Sequence, residues 1–286
     1  MRSVAALLLM ILAACPLLAQ EATAFRWASR GADRALFRQV ERAFRKELTP
    51  GTKGLKPKAA PLSGRSIDRI ALQGDAALVI LGFKEDRTEQ YPNYGVYSYN
   101  LATHAKRAML GMGDAKKPGD SWFPLLKFVK QTHLLGDGGT DLLFEFATCT
   151  YCEATTILAD FHLSPQAKGW EPLRWSRQDG VNLVIGYDPA INEQSGNQFD
   201  CLHVTGDFNG DGLDDVAVRC RESADHGNRG TRSVRDTTYL YTAQSGVMQR
   251  TAVTPETPGA ELIRQALCAT NSKSKLCRVP MKHAAR

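Results

Sequence analysis

The chain has none of the common short signatures of catalysis. Its six histidines (104, 133, 162, 203, 226 and 283) form no H-E-x-x-H array and no other tight ligand spacing. There is no G-x-S-x-G elbow and no P-loop, so metalloprotease, α/β-hydrolase and phosphate-cradling chemistry lack their defining residues. Beyond residue 24 no stretch approaches eighteen apolar residues, which excludes a transmembrane helix there. Charge of one sign is also scarce. Lys and Arg total 36 against 30 Asp and Glu, a formal net charge of +6 over 286 residues. The excess is spread out and densest over 26–58. It suits contact with anionic membranes, lipopolysaccharide or wall polymers, and gives no case for nucleic acid.

Residues 1–24 read as a targeting segment outside the fold. Arg2 supplies a minimal positive start, Val4–Leu12 an apolar core too short to span a bilayer, and Ala22-Thr23-Ala24 an A-x-A cleavage signal. Leu12-Ala13-Ala14-Cys15 also resembles a bacterial lipobox, which would make Cys15 a lipidated N-terminus. Either route exports the chain. Six of the seven cysteines then remain in an oxidising compartment, where disulfides are the default. They form three local pairs: Cys149–Cys152, Cys201–Cys220 and Cys268–Cys277. Cys149-Thr150-Tyr151-Cys152 also has the C-x-x-C spacing of redox and zinc sites. It follows a strand-like run with no helix pattern after it, which favours a structural bridge.

Residues 25–65 read as a basic amphipathic helix, Asp33–Leu48 with Asp33 as cap, followed by a Pro/Gly/Lys-rich linker over 49–65. From Ser66 the pattern switches to strands and repeats in three units, about 66–112, 126–176 and 199–254. Each unit opens with a hairpin whose first strand ends in Gly-Asp: Gly74-Asp75, Gly136-Asp137 and Gly206-Asp207. Third and fourth strand candidates follow each hairpin. The fold class expected over 66–256 is mainly β, with repeated four-stranded antiparallel blade-like units. Three units suggest a small or incomplete propeller, or two packed sheets, with flanking N- and C-terminal helices. Thr257 and Pro258 open the C-terminal helix, which runs to about Ala269 in a terminal segment 257–286.

Residues 207–215, Asp-Phe-Asn-Gly-Asp-Gly-Leu-Asp-Asp, are the most specific stretch. Asp207, Asn209, Asp211 and Asp215 place oxygens at alternating positions, Gly212 allows a sharp turn, and the Leu213 carbonyl is free as a further ligand. Oxygen donors in this number suit Ca²⁺. Position twelve of the loop is Val218, in a strand pattern, so this is no EF-hand. The stretch resembles the FG-GAP/VCBS repeat of integrin-like propellers, whose D-x-[DN]-x-D-G-x-x-D loop joins two strands of a blade. The resemblance is specific over 205–219 and implies a blade scaffold, bound Ca²⁺ and an extracellular adhesion or ligand-binding role. Three carboxylates and one amide point to a dissociation constant of about 10⁻⁴–10⁻³ M. Unit two keeps Asp137 and Asp141 with four fewer residues between them, and unit one keeps only Asp75, so neither is expected to hold an ion. If Gly206 pairs with Asp215, antiparallel register sets Cys201 opposite Cys220. A Cys149–Cys220 pairing is the rival.

Other groups have blander readings. His203 reads as a satisfied strand histidine, and Asp160 with His162 as a hydrogen-bonded pair on one sheet face. Glu145 and Glu153 would serve a hydrolase if their separation allowed. Tyr94, Tyr97, Tyr99, Trp122, Trp170 and Trp175 read as core, with a carbohydrate-binding face as the alternative. Together these features favour an exported Ca²⁺-stabilised β-repeat protein that binds a protein or envelope polysaccharide without catalysis. Membrane contact would come only through a lipid anchor. An envelope hydrolase on the same scaffold and a purely structural envelope component are the competing readings.

Overall fold

The computed structural model describes residues 25–48, 66–83, 93–110, 125–150, 153–176, 183–188, 197–225, 232–270 and 274–278. The targeting segment with Cys15, the linker 49–65, Trp122 and Cys152 lie outside these residues, and the Cys149–Cys152 pairing with them.

The fold is mainly β, in two sheets. The first has five antiparallel strands in chain order: β1 (Arg26–Trp27), β2 (Ser66–Gln73), β3 (Ala76–Phe83), β4 (Asn93–Asn100) and β5 (Lys106–Leu110). The second contains β6 (Leu125–Thr132), β7 (Thr140–Thr150), β8 (Glu153–Leu163), β9 (Glu171–Pro172), β10 (Arg174–Trp175), β11 (Leu183–Asp188), β12 (Asn197–Gly206), β13 (Asp215–Asp225), β14 (Arg232–Gln244) and β15 (Val247–Ala252). Its order is β10-β15-β14-β13-β12-β11-β8-β7-β6, with β9 on β8, and it curls into a half-barrel.

The residue pattern dictates the layering. β3 reads Ala-Ala-Leu-Val-Ile-Leu, almost continuously apolar, because both its faces are covered. Leu78 and Ile80 face the second sheet, while Ala77, Val79 and Leu81 face a helix. That helix, α1 (Arg34–Ala43), presents Phe37 and Val40, with Phe44 just beyond its end, and continues after a break into α2 (Arg45–Leu48). On the second sheet, Leu142, Phe144, Phe146, Ile157, Ala159 and Phe161 meet the first sheet. The alternate residues Leu143 and Leu158 turn into the half-barrel with Trp175, Ile185, Val216, Val218 and Tyr241. Each large buried side chain in these layers contributes about 1.5–3 kcal/mol. Outside β12–β14, helix α3 (Ala260–Thr270) closes a fourth cluster through Ile263 and Leu267.

Several sequence expectations are corrected. The strands of units two and three lie in one continuous sheet, because β11 pairs with both β8 and β12. The expected fourth strand of unit two divides into β9, paired with β8, and β10, which runs parallel to β15. The first strand of unit two, expected at 132–137, ends at Thr132. Asp33 makes no side-chain cap, because its carboxylate is held by Arg26 at 2.8 and 2.9 Å and by the Ser29 N–H. Helix α3 begins two residues later than Pro258 because Gly259 adopts a φ of +77°. A Cβ there would lie 2.6 Å from the Phe208 carbonyl oxygen, so glycine is required by both conformation and space.

Candidate metal centre

The last pair of the β12–β13 ladder is Gly206↔Asp215, and the same register places Cys201 opposite Cys220. The two cysteines are disulfide-bonded with Cα atoms 4.0 Å apart; a second bridge joins Cys268 and Cys277. The hairpin is thus cross-linked at the register read from the sequence.

Eight residues, 207–214, connect the two strands. Asp207 organises them: Oδ1 accepts from the Gly210 N–H at 2.7 Å and Oδ2 from the Gly212 N–H at 3.0 Å. Gly210 and Gly212 hold φ of +80° and +84°, where a side chain would be strained. Asn209 accepts from the Asp211 N–H and donates through Nδ2 to the Asp211 carboxylate, while Asp211 accepts from the Leu213 N–H. Phe208 folds back into the α3 cluster, and its N–H donates to Asp215 Oδ2 at 3.1 Å. Asp215 is only 1% exposed. Burial, and then the charges of Asp211 and Asp207, push its carboxyl up to about 6.

The loop donors are directed at backbone N–H groups. Among the described residues no group of three or more His, Cys, Asp or Glu side chains is gathered as a metal-holding cluster. The chemistry of the donor set nevertheless fits a hard cation. Three carboxylates, an amide oxygen and the Leu213 carbonyl are all oxygen ligands, and the Asp215 charge is made costly by burial and by its acidic neighbours. A divalent ion would remove that cost.

The loop has a counterpart in unit two that sequence reading misaligned. The β6–β7 ladder ends at Thr132↔Asp141, as the β12–β13 ladder ends at Gly206↔Asp215. Both loops therefore contain eight residues, and the expected four-residue deletion does not exist. In register, Gly136-Asp137-Gly138 matches Gly210-Asp211-Gly212, and Asp141 matches Asp215. The local geometry agrees. Gly136 and Gly138 also have positive φ, +69° and +77°. Asp141 Oδ2 accepts from the Leu134 N–H at 2.7 Å, as Asp215 does from Phe208. Asp137 accepts from the Gly139 N–H as Asp211 does from Leu213. Gly-Asp-Gly followed by Asp three residues on was the signal that would have found this match.

Five of the eight loop positions differ, and among them His133 and Leu135 stand where the oxygen donors Asp207 and Asn209 stand. Here an imidazole comes in from β8. His162 Nδ1 meets Asp141 Oδ1 at 2.7 Å and Nε2 meets Asp137 Oδ2 at 3.0 Å. Burial works against its charge, but Asp141 and then Asp137 outweigh this and raise the imidazole above its ordinary value. Burial, and then the Asp141 charge, push the Asp160 carboxyl well above the ordinary carboxylate value. Asp160 and His162 do share a face, but they do not bond each other: His162 is held by Asp141 and Asp137, and Asp160 accepts from the Thr132 hydroxyl at 3.5 Å. The residue of β14 in line with His162, one step past Val216↔Tyr241, is Thr242. The two loops also touch: Asp214 exchanges backbone and carboxylate hydrogen bonds with His133 and pairs with Lys130 at 3.1 Å.

Below this contact lies a cleft of about 550 Å³, lined by Lys127, Lys130, Glu145, Ile185, His203 and Thr270 among others. Glu145 Oε2 accepts from His203 Nε2 at 3.2 Å, which is the first cause of its lowered carboxyl pKa; burial opposes it, and Lys127 at 3.5 Å adds to it. Sequence reasoning treated Glu145 and His203 separately, since 58 residues part them. His203 is only half satisfied, for Nδ1 is buried without a partner. The described lining holds one carboxylate and no serine, and its cysteine, Cys201, is bridged. The aromatics fall elsewhere: Tyr97, Tyr99, Trp170 and Trp175 are buried core, and Tyr94 packs against it.

The fold and site thus define a mainly β, disulfide-bearing protein with two equivalent strand–loop–strand units. Comparison with known proteins finds no matching family model, no matching curated protein and no matching solved structure.

Proposed function

We propose that this is an exported, Ca²⁺-stabilised binding module of the bacterial envelope. One observation carries the reading: the internal comparison of the two loops. They share length, glycine conformations and carboxylate-to-backbone bonds. In one, an imidazole bridges the carboxylates of positions five and nine. In the other, that side chain is replaced in register by Thr242, and two extra oxygen ligands, Asp207 and Asn209, enter the loop. A cation at the second loop answers the same charge problem. In this reading both loops descend from one FG-GAP/VCBS-type, blade-like unit, and only residues 207–215 keep the ion. The two disulfides are compatible with an extracytoplasmic location, and no helix among the described residues is long and apolar enough to cross a membrane.

Calorimetric titration of the EDTA-treated protein with Ca²⁺ tests the ion. The expected result is one site in the wild type and none in Asp211→Ala, whose ligand is lost; heat in both, or in neither, defeats the reading. Envelope material captured with Ca²⁺ and released by EDTA tests the binding role. The second reading, an envelope hydrolase, is favoured by Glu145 and His203 in one cleft. Among the described lining residues it finds no serine, no free cysteine and no second carboxylate.

A further inference from the structure

We infer that the cleft binds an extended, acidic peptide segment, which adds as a strand to the exposed edge of β12. This rests on the binding-module reading and names the partner class. β12 pairs with β13 along its whole C-terminal part, from Cys201↔Cys220 to Gly206↔Asp215. On its other side β11 pairs with it only at Gly186↔Asp200 and Tyr187↔Phe199, after a register shift between Val184 and Gly186. Among the described residues, 201–206 therefore have no strand on that side. About half of their backbone N–H and C=O groups point away from β13 in an antiparallel ladder.

Such an edge is a template for pairing unless it is blunted. The outer strand β6 is guarded by Lys127 and Lys130. Residues 201–205, Cys-Leu-His-Val-Thr, carry no acid, lysine, arginine or proline, and they are stiffened by the disulfide. They form one wall of the cleft; β6, β7, β8 and β11 form the floor. A strand residue fills about 160 Å³ at ordinary sheet spacings, so 550 Å³ accommodates about three to four residues. That is shorter than the six-residue edge 201–206, so the ends of a bound segment would run beyond the cleft.

The lining selects the class. Among the described residues it has no Phe, Tyr or Trp for a sugar to stack on. Ile185, Val129, Leu202 and Val204 suit alternate apolar side chains of a strand. Lys130 is held by Asp214 at 3.1 Å, but Lys127 is 69% exposed and its only contact with Glu145 is long, 3.5 Å, so a peptide carboxylate can take it over.

Selection of the full-length protein against a phage-displayed random dodecapeptide library, with Ca²⁺ present, tests this. Enriched peptides should be proline-poor and carry Asp or Glu. At saturation they should slow amide exchange at least tenfold within 202–205. N-methylation of alternate peptide amides should weaken binding at least tenfold. Lys127→Glu should weaken acidic peptides about tenfold without moving the melting temperature. No enrichment, protection confined to other strands, or equal binding of N-methylated peptides overturns the inference. Envelope polysaccharide captured where peptides fail would sink the peptide inference and leave the binding module standing. Failure of both would sink both.

Discussion

Asp215→Asn separates the cost of a buried carboxylate from its use as a ligand. In the ion-free protein its carboxyl titrates near 6, against an ordinary 3.8. The folded state therefore holds the proton more tightly than the unfolded chain. Stability is highest below about 4, falls as pH rises toward 6, and is flat beyond. Two pKa units convert to a ceiling of about 3 kcal/mol, and solvent screening under an exposed loop lowers this to about 1–2 kcal/mol. Asparagine keeps the oxygen that accepts from the Phe208 N–H and removes the charge. In EDTA at pH 7 the variant should melt higher by a few degrees, at about 2–4 °C per kcal/mol. In 10 mM Ca²⁺ the order should invert. A dissociation constant of about 10⁻⁴–10⁻³ M gives the wild type about 1.4–2.7 kcal/mol, which the variant largely forgoes. Scanning calorimetry of both proteins, with EDTA and with Ca²⁺, from pH 4 to 8 gives the answer. An Asn variant less stable in EDTA, or a Ca²⁺ shift equal in both proteins, refutes the reasoning.

Other outcomes follow from the same geometry. Asp160→Ala should cost about 1–3 kcal/mol in urea unfolding by leaving the buried Thr132 hydroxyl without its acceptor, and Asp160→Asn, which keeps an acceptor oxygen, should cost less. His162→Gln should cost about 1–3 kcal/mol near pH 6 and less at pH 9. A raised imidazole contributes fully below its unfolded value of about 6.5, and the contribution is lost as pH climbs through the folded one. Replacing Cys201 and Cys220 together by Ser should lower stability by about 3 kcal/mol for a 19-residue separation, and denaturation midpoints under reducing and oxidising conditions check it.

Local alternation and one sum of residue numbers made much of this readable. Val216, Val218 and Cys220 share a face, and Gly206 with Asp215 implies Cys201 with Cys220; both are observed. The second loop was misread because Gly-Asp dipeptides were matched before strand ends were known. β6 stops at Thr132, so the dipeptide at 136–137 lies in mid-loop, whereas Gly206 ends a strand. The partner of Asp137 and Asp141 was hidden for another reason. His162 arrives from β8, and register alone brings it to the loop. The cleft was equally illegible, since Glu145 on β7 meets His203 on β12 only after the chain has passed through four intervening strands. Units two and three do not stand as separate four-stranded blades, because β11, a short strand between them, joins them into one sheet.

The two loops differ in where their stabilising partner can be found. His162 travels with the chain, so the β6–β7 hairpin is complete in any compartment. The β12–β13 hairpin needs the Cys201–Cys220 bond, which requires an oxidant, and on the proposed reading an ion that is abundant only outside the cytoplasm. On that reading both of its locks are met only on the far side of the membrane. The unit that forms the cleft wall would then reach its final rigidity only after export, which sets a time and a place for the protein to become competent to bind.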